Sequence, residues 1–272
     1  MMGMREAALS CLAPLFVPAD RPDRFAKAAA SGADAIIIDL EDAIAPDRKA
    51  PVRDALSRDG LPAAPTLLRV NGTATEWFAG DVTAALALGI DGLLLPKAET
   101  LDDVAKVRTA GLFDIVALIE TARGLANARA IAGGGVARLA FGSIDYAVDL
   151  GCAHEREALL AARGEIVLAS RLAGLHPPLD GVTTAIDDPG AAEADARYAC
   201  GLGFAGKLCI HPRQIAAVKA GFAPTPAEVD WANAILAAPE GGAAKVAGTM
   251  VDAPVRQRAR QILARQRRGA RA

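Results

Sequence analysis

The chain has few aromatic residues: two Trp, two Tyr and seven Phe, 4% of 272 residues. With 52% of residues hydrophobic, its core must be built from Ala, Leu, Val and Ile, which suits a parallel sheet covered by Ala-rich helices. Net charge is almost absent, at -2, so nothing pulls the chain as a whole toward nucleic acid or acidic membrane surfaces. Cysteine is sparse. Cys11, Cys152, Cys200 and Cys209 form no CxxC pair, which argues against a disulfide framework or zinc site and fits a reducing, cytoplasmic setting. No apolar run approaches ~20 residues, so no membrane-spanning helix is expected. Ala7–Val17 has a faint signal-peptide outline, but Pro14–Pro18 reads better as a first strand. His154, His176 and His211 lack metal-ligand spacing, and no Gly-x-Ser-x-Gly elbow occurs.

What is present is alternation. Strand candidates cover 13–19, 35–40, 66–71, 92–96, 115–120, 138–142, weakly 179–182, and 207–211, with Ala-rich amphipathic segments between them. Strand then helix, eight times, predicts a (β/α)₈ TIM barrel over residues 1–222, with a doubly wound open sheet as the competitor. Residues 223–272 read as a C-terminal helical appendage, a lid or oligomerisation segment. Thr225 caps a helix beginning at Pro226, Pro239–Gly242 is a loose turn, and Val251–Arg268 is a second helix. Its arginines, from Arg256 to Arg271, read as a solvated face or as contacts to a phosphate-rich cofactor arm.

Barrel enzymes work at the C-terminal ends of their strands. The polar residues there are Asp20, Arg21, Asp39, Glu41, Asp42, Arg69, Asn71, Lys97, Glu120, Asp145, Asp180 and His211. Glu120 and Asp145 are expected at strand ends, as ligands of a Mg²⁺ ion that keeps positions open for substrate oxygens. Arg69 is expected to grip a substrate carboxylate with two parallel hydrogen bonds. Alternation sends Asp39 and Glu41 to one side and Leu40 and Asp42 to the other, and leaves open which pair faces the mouth. Any single acid could instead cap a helix. His211 could touch substrate or be structural.

Leu15-Phe-Val-Pro-Ala19, Ile38-Asp-Leu-Glu-Asp-Ala43, Leu68-Arg-Val-Asn71, Leu95-Pro-Lys97, Ile119-Glu-Thr121, Phe141-Gly-x-x-Asp145 and Ile210-His-Pro212 occur in order. Together they resemble the citrate lyase β-subunit (CitE-like) branch of the HpcH/HpaI aldolase/citrate lyase superfamily, over nearly the whole chain. The resemblance implies Mg²⁺ on Glu120 and Asp145. It implies substrate contacts from Arg69, Glu120, Lys97, Gly142 and Ser143, with Glu41 as an outer partner. Met250-Val-Asp-Ala-Pro254 resembles the phrase around a catalytic aspartate, making Asp252 an acid/base that could complete a neighbour's site in a homotrimer or hexamer. Thr249 departs from that phrase, where lysine is common, and Asp252 could at the same time be the N-cap of the last helix. The implied activity is carbon–carbon cleavage of a citramalyl-, malyl- or citryl-CoA-like thioester to an acyl-CoA and an α-keto acid such as oxaloacetate. Alternatives are a pyruvate-dependent aldolase, a malyl-CoA thioesterase, or a non-catalytic subunit binding CoA esters or keto acids.

Overall fold

The computed structural model describes residues 4–111, 113–239, 244–246 and 249–269. Seven parallel strands run in sequence order around one sheet: β1 (Leu15–Pro18), β2 (Ile36–Asp39), β3 (Thr66–Arg69), β4 (Gly92–Leu95), β5 (Ile115–Ile119), β6 (Arg138–Phe141) and β7 (His176–Leu179). The ring closes through residues 206–209. Leu208 N–H donates to Asp180 O at 3.0 Å, and Phe16 N–H donates to Cys209 O at 2.9 Å. The expected barrel is present, but its eighth stave is reduced from 207–211 to isolated parallel bridges, Asp180 with Lys207 and Leu15 with Cys209. β7 lies earlier than the expected 179–182. Its Pro177 and Pro178 have no N–H to give the ladder, which both obscures the strand in the sequence and accounts for the irregular register against β6.

Strand alternation divides the core in two. Outward residues such as Ile36, Ile38, Leu68, Leu93, Ile115 and Leu139 pack beneath the helices. Inward residues Ile37, Leu67, Leu94, Val116, Leu118, Ala140, Leu179 and Leu208 fill the lumen. A short helix, Met4–Ser10, which the sequence did not announce, adds Ala8 and Leu9 to that lumen cluster. Arg138, at the start of β6, is 1% exposed and its Nη1 donates to Leu9 O at 2.8 Å and Cys11 O at 2.7 Å. The helix therefore plugs the N-terminal end and leaves the C-terminal end open.

Beyond the helix Arg213–Phe222, the chain forms a helix Pro226–Ala237, an antiparallel hairpin of β8 (Ala244–Val246) and β9 (Thr249–Val251), and a helix Ala253–Gly269. Thr225 and Glu228 make a capping box on the first of these helices. Ala232, Ile235, Val251, Ala259 and Ile262 give the appendage its own small core. Arg256 caps the carbonyls of Ile235, Ala238 and Pro239, and Arg258 lies over the Trp231 ring, so two of the basic residues have structural employment. The expected turn at Pro239–Gly242 and the basic residue Arg271 lie outside the described residues, apart from Pro239 itself.

Candidate active site

The lumen parity that places Ile37 inward also turns Asp39 inward at the top of β2, and likewise Arg69 on β3 and Glu120 just after β5. These three line one cavity of about 460 Å³ at the open end, with Phe16, Asp42, Gly142, Ser143 and Asp145. Asp39 and Glu41 are both buried, at 3% and 6% exposure, but each pair sends one residue to the cavity, Asp39 from the first and Asp42 from the second. Lys49 supports the turn between them from behind, its ammonium donating to Leu40 O at 3.0 Å and Glu41 O at 2.6 Å. Asn71 is structural too, donating to Asp81 and to Leu40 O.

Arg69 lies 4.9 Å over the Phe16 ring. Its Nε and Nη2 each donate to Asp39 at 2.7 Å, so the two-pronged edge expected to hold a substrate carboxylate is occupied by Asp39. Nη1 is left, 3.0 Å from Glu41 Oε2 and 3.3 Å from the half-exposed Asp42. Burial works against the Arg69 charge, but Asp39, Glu41 and Asp42 more than offset it and hold the guanidinium pKa above its ordinary value. A substrate carboxylate reaching this arginine would meet Nη1, in place of Asp42.

Glu120 is 1% exposed. Its Oε1 accepts the Lys97 N–H at 2.7 Å, while Oε2 is buried with no hydrogen-bond partner. Burial, then the negative charges of Glu41 and Asp145, push its pKa well above the usual carboxylate range. A buried acid with one free oxygen and two acids pressing on it is a place where a cation would relieve the electrostatics. Among the described residues no cluster of three or more ligating side chains forms. Two carboxylates with the remaining positions open fit a hard cation such as Mg²⁺, which retains waters and substrate oxygens. Gly142 is what lets Glu120 stand here. A Cβ on it would lie 2.4 Å from both Glu120 Cβ and Oε2.

Asp145 is not at a strand end. β6 stops at Phe141, and Asp145 lies in the first turn of the helix Ser143–Leu150, from which it lines the cavity. Lys97 and Glu41 do not line the cavity; the Lys97 ammonium donates to Glu41 Oε1. Asp180 is fully buried with Arg163 at 2.8 Å and Lys207 at 3.1 Å, a structural knot where β7 meets the eighth stave. His211 accepts the Arg213 N–H on Nδ1, and Asp20 pairs with Arg48. Asp252 is exposed, and its Oδ1 accepts Val255 N–H at 3.0 Å as the N-cap of the last helix; it is not among the residues lining the cavity. One further contact, Ser143 Oγ to His154 Nε2 at 2.9 Å, carries no sequence signal, because the two residues share no recognisable spacing.

The model of the HpcH/HpaI aldolase/citrate lyase family matches residues 12–212. The chain belongs to this family. A citrate lyase subunit beta-like protein of Mycobacterium tuberculosis is 38% identical over 261 residues, covering 92% of this chain and 94% of its own. A (3S)-malyl-CoA thioesterase of Cereibacter sphaeroides is 36% identical, with 92% and 93% covered. A solved structure of CitE from M. tuberculosis, in complex with magnesium, acetoacetate and coenzyme A, superposes with a TM-score of 0.85 at 37% identity, over 94% of this chain and 97% of that one. A citrate lyase beta subunit from the same organism, complexed with oxaloacetate and magnesium, superposes with a TM-score of 0.72 at 36% identity, over 80% and 99%. Family membership thus fits the order of motifs, the barrel and the family's lyase and aldolase chemistry. Among the described residues no helix is long and apolar enough to cross a membrane.

Proposed function

We propose that this chain is a Mg²⁺-dependent carbon–carbon lyase that cleaves a 3-hydroxy-3-carboxyacyl-CoA into acetyl-CoA, or a related acyl-CoA, and an α-keto acid. The observation that carries this reading is Glu120: buried, with one oxygen free, and lining one cavity together with Asp145 and Arg69. Relatives crystallised with magnesium together with oxaloacetate, or with acetoacetate and coenzyme A, support it.

Glu120 and Asp145 would hold the ion. When bound, it would acidify the substrate hydroxyl and polarise the ketone oxygen that forms. Arg69 Nη1 would fix the carboxylate and so the orientation of the bond to be broken. Glu41, held between Arg69 and Lys97, keeps that guanidinium in place. The hydroxyl loses one proton, the electron pair of the C–C bond passes to the carbon next to the thioester, and that carbon gains one proton. Asp252 of a neighbouring subunit in a homotrimer is the proposed donor, since in its own subunit Asp252 is an exposed helix cap outside the cavity.

The test is to incubate the protein and Mg²⁺ with malyl-, citramalyl- and citryl-CoA in turn and follow keto-acid release. Release from at least one is expected; well-folded protein inert toward all three would refute the lyase reading. A thioesterase activity is the second reading, favoured by the resemblance to the C. sphaeroides malyl-CoA thioesterases. Chromatography of the products separates the two, since hydrolysis leaves free CoA and an intact hydroxy acid, whereas cleavage leaves acetyl-CoA and a keto acid.

A further inference from the structure

Lys97 is the only non-glycine residue with a left-handed backbone among the described residues, at φ +47°. Such a conformation costs any residue with a Cβ some strain, and it persists where the surroundings fix it. Here the residue follows Pro96 at the end of β4, and two contacts use the bend. Its N–H is aimed at Glu120 Oε1, 2.7 Å away, just after the neighbouring strand β5. Its side chain runs the other way, past β3, and its ammonium donates to Glu41 Oε1 after β2. Glu41 Oε2 in turn lies 3.0 Å from Arg69 Nη1. One bent residue thus engages two buried carboxylates from opposite sides of Arg69, although it does not itself line the cavity.

We propose that Lys97 is a positioning residue: its left-handed turn holds one oxygen of Glu120 so that the other is presented to the cation, and its ammonium holds Glu41 against Arg69. A substrate contact is then not its role. This rests on the metal-lyase reading of the same cavity.

The experiment uses full-length Lys97→Gly, Lys97→Asn, Lys97→Ala, Lys97→Val and Lys97→Arg, with Mn²⁺ binding measured by calorimetry in the absence of substrate. The first four all lack the ammonium and differ in their tolerance of a left-handed backbone, which falls from Gly through Asn and Ala to Val. The expected result is that Mn²⁺ affinity follows that order, with Lys97→Gly close to wild type and Lys97→Val weaker by about 10-fold or more. Should Lys97→Val fail to fold, the Gly-to-Ala difference carries the same test. Turnover reads the ammonium: Lys97→Gly, with its metal affinity intact, should lose kcat/KM, and Lys97→Arg should recover more of it than Lys97→Asn. Equal Mn²⁺ affinity across the folded variants, or full turnover in Lys97→Gly, overturns the inference while leaving the lyase reading standing. Wild-type protein that binds no Mn²⁺ overturns both.

Discussion

Gly142 offers the most direct check on the geometry of the site. Its φ of -85° is open to any residue, so replacing it by alanine adds no backbone strain and the consequence is steric alone. The new methyl would lie 2.4 Å from Glu120 Cβ. Rotating the carboxylate cannot relieve that contact, because Cβ is anchored directly to the chain where β5 ends. Either β5 and β6 part locally or Glu120 leaves its place. Overpacking of this kind costs about 1–3 kcal/mol. For a chain of this size each kcal/mol moves Tm by about 2–4 °C, so Gly142→Ala should melt roughly 2–12 °C lower. With Glu120 displaced, Mn²⁺ affinity should fall about 10-fold or more. Gly164→Ala is the control. It sits within the helix Leu160–Leu172 with nothing within 4 Å of the added Cβ, and should gain about 0.5–1 kcal/mol. Differential scanning calorimetry and metal titration on both variants give the answer. A Gly142→Ala protein that melts and binds metal like wild type would show that Glu120 does not stand against Gly142, and the description of the site would fail with it.

Glu120→Gln should change how the metal-free protein responds to pH. The folded-state pKa of Glu120 is raised, so its contribution to stability is complete below the ordinary glutamate range and is lost as pH rises through the raised value. As pH rises above the ordinary glutamate range the wild type should therefore lose Tm relative to Glu120→Gln, which cannot ionise. Parallel melting curves would contradict the burial assigned to this acid. Asp252→Ala should cost about 0.5–2 kcal/mol as a lost helix cap and should abolish turnover. Mixed with inactive Glu120→Gln subunits, it should regain activity in assemblies where an intact Asp252 meets an intact Glu120. Mixtures that stay inactive would remove the proposed neighbour's contribution.

Much of the barrel was legible because parallel strands buried on both faces read as short apolar runs, such as Ile36–Ile38 and Ile115–Ile119, between Ala-rich helices. That same burial hid which face was the lumen. Ile36, Ile37 and Ile38 are all fully buried, so nothing in the segment itself says that Asp39 rather than Leu40 turns inward. The ring of partners supplies that information. Asp145 was legible as a site candidate through its motif but not through its setting, because Gly142 breaks β6 and the next helix starts at once. Arg69 was legible as the cavity's cation. That its fork belongs to Asp39 depends on β2 and β3 standing in register, Asp39 beside Arg69, a pairing between strands that no single segment encodes. Helix Met4–Ser10 escaped notice because seven residues are too few for a clear period, and its meaning lies in a distant arginine.

The ring is completed by very little. On one side Phe16 N–H donates to Cys209 O, and Cys209 and Lys207 N–H donate to Pro14 O and Leu12 O; on the other, Ala205 and Leu208 N–H donate to Pro178 O and Asp180 O, and Asp180 N–H donates to Gly206 O. During synthesis the first strand must therefore wait, with one edge unpaired, until the chain has grown past Cys209. Unpaired strand edges invite association between molecules. The nascent chain is accordingly most exposed to aggregation just before this last stave emerges, and a product truncated ahead of it would be left as an open sheet with two free edges.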